Sequence, residues 1–234
     1  MNLLGGNNIS QRVGVPLVLC GVLSFFAYAQ DDQAPFVVND AMLQAVKKQY
    51  GKRAMWRVEE WGELLEKSRK KTQWSDAKRL GVANDFFNRI KWVSDQEHWG
   101  LEDYWATPIE TLATNAGDCE DFSIGKYFTL REGRIDTDKL RITYVKALDY
   151  NQAHMVLAYY KTPSAEPLIL DNINQRILPA SKRKDLVPVY SFNGESLWLA
   201  RSRDQKMNVN SQTSLPQWAN VNQRMLKELG LKSN

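Results

Sequence analysis

The stretch TNAGDCEDFSIGKYFTLREG, Thr114 to Gly133, places a cysteine among three carboxylates at the point where a helix begins. Asp118 stands at an N-cap position, so Cys119 falls in the first turn, and Gly133 closes the element. Aligned peptide dipoles favour an anion at that end, which lowers a thiol's pKa and makes its sulfur a nucleophile. Asp118, Glu120 and Asp121 oppose this, because negative neighbours repel a thiolate. The residues alone leave two readings of these acids. They cap the helix and complement its dipole, or they hold a hard divalent cation through carboxylate oxygens, although no EF-hand loop is present.

Upstream of this stretch the hydrophobic period is helical. NDAMLQAVKKQYG (39–51) opens on an Asn39 or Asp40 cap and stops at Gly51. RAMWRVEEWGELLEKSRKK (53–71) carries an apolar stripe of Met55, Val58, Trp61, Leu64 and Leu65. A third helix is predicted from the Ser75 cap through Val93, burying Leu80, Phe86, Phe87, Ile90 and Val93, and a short one near Pro108. Downstream the period becomes two: 140–148, 154–161 and 167–173 read as strands. VPVYSFNGESLWLAR (187–201) reads as a hairpin, with Asn193-Gly194 expected to supply the positive φ angles of a tight turn. A last helix follows Ser214 and Pro216 and ends before Gly230. Helices first and an antiparallel sheet afterwards define an α+β fold.

The chain has 234 residues and two cysteines. Cys20 lies in an apolar run, Val13 to Ala29, that follows Arg12 and ends Ala27-Tyr28-Ala29. Residues 1–29 therefore read as a secretory signal peptide with an A-x-A cleavage site. The alternative is an uncleaved N-terminal anchor, for which the run is short and carries Pro16. Leu19 is too bulky for lipidation at Cys20. Cleavage leaves Cys119 alone in an oxidising compartment, either a reactive thiol or a small buried hydrophobe. About 205 residues remain, one domain over 30–234, helical over about 38–133, mainly β over about 140–200, with a C-terminal helix near 215–229. The net charge of +4 is small. The clusters KSRKK (67–71) and SKRKD (181–185) lack interleaved aromatics, and so read as solvated faces rather than a nucleic-acid groove.

A thiolate needs a proton partner, and only two histidines exist. His98 stands in SDQEHWGLEDYW, read as a loop, whereas His154 opens a strand able to return beside the helix start. Asp171 ends the next strand, where it can hold the far nitrogen of the imidazole. Cys119, His154 and Asp171 on helix, strand and strand have the order of nucleophile, base and orienter. Singly, His154 could be a sheet residue and Asp171 a turn former.

GDCEDF at a helix start, followed by HMVL and LDNI and preceded by DYWATPIETL, resembles the bacterial transglutaminase-like cysteine proteinases of the periplasmic LapG type. The resemblance implies a papain-like α+β fold with Cys119 as nucleophile, His154 as general base and acid, and Asp171 as orienter. It also implies calcium (Ca²⁺) dependence, with Asp118, Glu120 and Asp121 as the calcium-binding acids. The implied substrate is the N-terminal region of a large RTX-type surface adhesin, cut near paired alanines so that the biofilm disperses. An inner-membrane cyclic di-GMP receptor of the LapD type is the implied regulator. Trp105 is a candidate oxyanion donor through its indole N–H, beside the backbone N–H of Cys119. Two other functions share these residues: a transglutaminase-type acyl transferase, and a calcium-stabilised binding module with an idle triad.

Overall fold

The computed structural model describes residues 35–194, 196–199, 207 and 210–228. The expected signal segment and Gly230 lie outside the described residues.

Three helices come first: α1 (Asp40–Tyr50), α2 (Lys52–Lys70) and α3 (Asp76–Phe87). Asn39 caps α1 by accepting from the Met42 amide, and Gly51 ends it at φ 89°. Ser75 caps α3 as its hydroxyl accepts from the Lys78 amide. The third helix is shorter than the sequence predicts. It stops at Phe87, and Lys91–Trp92 form β1, which pairs in parallel with Ala116–Gly117, β2. Ile90 and Val93 are still buried, so the apolar pattern marks burial here while the backbone forms a strand bridge. A contact with a remote segment decides this, and helical periodicity does not record it.

That bridge sets up the site. Val93 donates its amide to Gly117 O at 2.9 Å, which brings α4 (Asp95–His98), capped by Ser94, beside Asp118. SDQEHW is therefore a one-turn helix and not a loop. α5 (Pro108–Thr114) has a capping box between Thr107 and Glu110 and ends at Asn115 in the left-handed region, φ 58°.

The central element is α6 (Cys119–Glu132), buried from Glu120 to Leu130 without a break. A helix covered all round needs packing on every side. Here α2, α3 and α5 lie against it from the helical half, and β3 and β4 from the sheet. Trp61 on α2 donates its indole N–H to Thr129 Oγ1 at 2.8 Å. Against α3 the fit depends on Gly125: a Cβ there would sit 2.1 Å from Cε1 of the fully buried Phe87 ring. Gly125→Ala gains about 1 kcal/mol of helix propensity. It must nevertheless displace a core ring, and overpacking of that kind costs about 1–3 kcal/mol. A net loss in urea unfolding is the expected result; a more stable variant would show that the α3–α6 contact is loose.

The sheet comprises β3 (Leu140–Ala147), β4 (Gln152–Tyr159), β5 (Leu168–Leu170), β6 (Leu178–Pro179), β7 (Leu186–Phe192) and β8 (Leu197–Leu199). Its order is β6-β5-β4-β3-β7-β8, with every pairing antiparallel. Alternation divides the two faces. Ile142, Met155, Leu157, Tyr159, Leu170 and Phe192 join the core around α6, whereas Val145, Val156, Ala158 and Ile169 form a second apolar cluster. The β7–β8 turn departs from the sequence reading, because neither Asn193 nor Gly194 has a positive φ. The loop is longer than a two-residue turn. The Asn193 amide donates to Ser196 O, and the Gly194 amide to the Tyr127 hydroxyl, both at 3.0 Å. After the short α7 (Ser211–Ser214) comes α8 (Pro216–Glu228), which has proline at its first position and buries Trp218, Val221 and Met225. Among the described residues no helix is long and apolar enough to cross a membrane.

Candidate active site

Helix α6 and strand β4 meet at one hydroxyl. Ser123, one turn into α6, donates to Cys119 O at 2.9 Å and is 3.1 Å from Met155 O. The residue before Met155 is His154, so the first turn of the helix is fixed against the strand that carries the imidazole. Cys119 is half-buried and its thiol donates to Glu120 Oε2 at 3.0 Å.

Asp171, just past β5, is within hydrogen-bonding reach of His154: Nε2 to Oδ1 is 2.8 Å. Nδ1 is the ring nitrogen left for a proton exchange. The Ile173 amide also donates to Oδ1, at 3.0 Å, and Asn88 Nδ2 donates to the Asp171 carbonyl at 3.0 Å. Arg183, in the cluster SKRKD expected as a solvated face, is 3 % exposed and donates from Nη2 to Asp171 Oδ2 at 2.7 Å. Its Nη2 and Nε also reach Asp185. Burial pushes the Asp171 carboxyl up, but the bonds and charge of His154, the Ile173 amide and Arg183 outweigh it and hold the group well below the carboxylate range. A depressed folded value contributes stability above the unfolded carboxyl's range, and that stability is lost as pH falls through the folded value. Asp171→Asn should therefore reduce the difference in urea stability between about pH 6 and about pH 2. An unchanged difference would mean that Asp171 ionises as it does in the unfolded chain.

The acids form a second cluster around the thiol. Asp118, Cys119 and Glu120 offer ligand atoms within 4.8 Å of one another; so do Asp95, Asp118 and Asp121, and Asp95, Asp103 and Glu120. Asp95 and Asp103, which the sequence does not single out, thus join Asp118, Glu120 and Asp121. Asp121 is the most committed, since Oδ1 accepts from the Ala106 amide at 2.7 Å and Oδ2 from the Asp118 amide at 3.3 Å. Capping is therefore real, and it is Asp121 that accepts from the N-cap amide. Asp118 Oδ1 and Asp95 Oδ1 are buried with no hydrogen-bond partner. Burial, followed by the charge of Glu120, drives the Asp118 carboxyl up to about 9. Burial raises Glu120 to about 7, and burial then Asp118 raise Asp121. The Cys119 thiol is pushed up by burial, then by Glu120. Buried carboxylates with orphaned oxygens fit a hard cation of the calcium type.

The other expected residues are placed as follows. Trp105 is buried, its ring stacked on Phe192 at 5.7 Å, and its indole N–H donates to Asp103 Oδ1 at 2.9 Å. In this structure that donor is taken by Asp103, an acid of the cluster. His98, at the end of α4, packs its ring at a tilt on that of Trp99, centroids 4.2 Å apart. Burial lowers its pKa, against the pull of Asp95. Lys126, two turns beyond Cys119, is buried, and burial pushes its ammonium down to about 7 despite Asp171 and Asp85.

A thiol at the start of a buried central helix, against an antiparallel strand bearing a carboxylate-held histidine, defines the transglutaminase-like class of thiol enzyme. The family model described as bacterial transglutaminase-like cysteine proteinase BTLCP matches residues 63–205, and the chain belongs to that family. Among solved structures, it is similar to Legionella pneumophila LapG. The EGTA-treated form is 42 % identical with TM-score 0.70, over 82 % of this chain and 100 % of LapG. The calcium-bound form is 41 % identical with TM-score 0.69, over 80 % of this chain and 99 % of that one. None of the curated proteins compared matches the chain.

Proposed function

We propose that this proteinase is a calcium-dependent periplasmic endopeptidase that cuts the N-terminal region of a large RTX-type surface adhesin near paired alanines, releasing the adhesin and dispersing the biofilm. The observation that carries the catalytic part is the 2.8 Å contact between His154 and Asp171, on the strand to which Ser123 ties the Cys119 turn. Identity of 42 % across the whole of LapG supports the cysteine-proteinase class, while the substrate and the location rest on the resemblance of GDCEDF, HMVL and LDNI to the LapG type.

In this account His154 Nδ1 takes the Cys119 proton and Sγ attacks the scissile carbonyl. The Cys119 backbone N–H, at the open end of α6, donates to the oxyanion. The imidazolium returns its proton to the leaving amine, and water attacks the thioester, giving its proton to His154 as the acyl group departs. Asp171 fixes the ring and stabilises its charged form, and Arg183 fixes Asp171. Asp95, Asp103, Asp118 and Glu120, with Asp121 behind them, would hold calcium. Calcium bound there would neutralise these acids and engage Glu120, the group that now accepts the thiol's hydrogen bond. A receptor of the LapD type would sequester the protease when cyclic di-GMP is abundant.

The test is incubation with the N-terminal region of a candidate adhesin, with calcium and with EGTA, in the presence and absence of a primary amine. Calcium-dependent hydrolysis products support the reading. Amine-linked products would make the enzyme an acyl transferase, and an intact substrate in calcium would remove the adhesin assignment.

A further inference from the structure

The face of the sheet bearing the second apolar cluster encloses a cavity of about 530 Å³. Neither Cys119, His154 nor Asp171 lines it. Its floor is Val145, Val156, Ala158 and Ile169, and Tyr160 and Trp198 stand at its sides. The volume is within the roughly 300–1,000 Å³ of small-molecule sites, and a mainly apolar wall with a few polar groups is their usual composition.

Two guanidinium groups interrupt that wall. Arg141 is 5 % exposed and lies between the rings of Tyr160 and Trp198, 4.3 and 4.1 Å from their centroids. Arg183 is the group that holds Asp171. Its Nε and Nη2 are committed to Asp171 and Asp185, but Nη1 is buried with no hydrogen-bond partner. A buried donor without an acceptor carries its full desolvation cost, and a charged donor bonds an anionic oxygen most strongly. Glu166, exposed and accepting from the Ser181 amide, is the one acid among the described lining residues.

We propose that this cavity binds a small monocarboxylate with a ring-sized apolar body. The carboxylate would accept from Arg183 Nη1, and the body would lie on Val156, Ala158 and Ile169 between the aromatic side walls. The site is separate from the thiol, yet its donor is the arginine that also positions Asp171, so an occupant would bear on the residue that holds the catalytic carboxylate.

Binding can be read without any substrate, so this proposal and the protease reading fail independently. The probe is 3-phenylpropionate, titrated calorimetrically into the full chain, with 3-phenylpropionamide as the uncharged control. Saturable binding of the acid is expected, weaker by at least about tenfold for the amide and for Ala158→Trp, which fills the cavity floor. Ala180→Trp, at the half-buried rim, is the second variant should Ala158→Trp fail to fold. Shifts in the methyl resonances of Val145, Val156 and Ile169 on adding the acid locate it. No saturable binding up to about 10 mM, equal binding of the amide, or binding indifferent to the filled cavity would each overturn the proposal.

Discussion

Cys119→Ala is expected to abolish cleavage while melting within about 1 kcal/mol of the wild type, since a small side chain in the first turn of α6 removes the nucleophile and little packing. The loss in kcat/KM should be at least about a thousandfold, the scale on which removing one member of a nucleophile–base unit acts. His154→Ala should be equally silent. Asp171→Asn should lower kcat by on the order of 10²–10⁴, because it keeps the shape but mispositions the imidazole and withdraws its counter-charge. The double variant Cys119→Ala/His154→Ala should be no worse than either single one, since the two act as a unit. Stopped-assay kinetics on the adhesin fragment measure all four. An inactive His98→Ala beside an active His154→Ala would assign the base to α4.

The second large effect is that of calcium. A cation bound only by the folded protein stabilises it by mass action, about 2.7 kcal/mol at a hundred times Kd. For a domain of this size that is a rise in melting temperature of about 5–10 °C over the protein in EGTA. Asp95→Ala should lose most of this rise, although Asp95 is far from Cys119 in the sequence and is brought into the cluster by the β1–β2 bridge. The capping role has a different signature. Asp118→Ala would cost about 0.5–2 kcal/mol whether or not calcium is present. Melting curves across a calcium titration, for wild type, Asp95→Ala and Asp118→Ala, separate the two. Curves offset from one another but equally insensitive to calcium would leave the acids as helix caps alone.

Sequence reasoning worked where the signal is local and failed where it is tertiary. The α6 stretch, its cap, its cysteine and the change of period after Gly133 all lie within a few turns of chain, and the structure has them at those positions. The strand pair carrying His154 and Asp171 was equally legible, because two short β-branched runs with one turn between them have few ways to pair. Asp95 and Asp103 could not be reached in that way. They join the cluster because Lys91–Trp92 leave the helical pattern to pair with Ala116–Gly117, and nothing in either dipeptide announces a partner. The acidic run SDQEHWGLED was itself the available signal, had its carboxylates been considered with those of GDCED. Arg183 was hidden by its neighbours: in SKRKD it reads as one more surface charge, yet it is buried against Asp171 while Lys182 and Lys184 face outward. Trp105 shows a further limit, since a sequence does not disclose that its indole N–H bonds an acid two residues away.

The most direct test of the central claim, that Cys119 is a nucleophile served by His154, is the rate at which iodoacetamide alkylates Cys119 near neutral pH in calcium. Mass spectrometry of the peptide containing Cys119 reads it separately from Cys20. The account expects rapid alkylation in the wild type, slowed strongly by His154→Ala and slowed also by EGTA, which leaves the thiol bonded to Glu120. Alkylation at the rate of an ordinary thiol, unchanged by His154→Ala and by the removal of calcium, would contradict it.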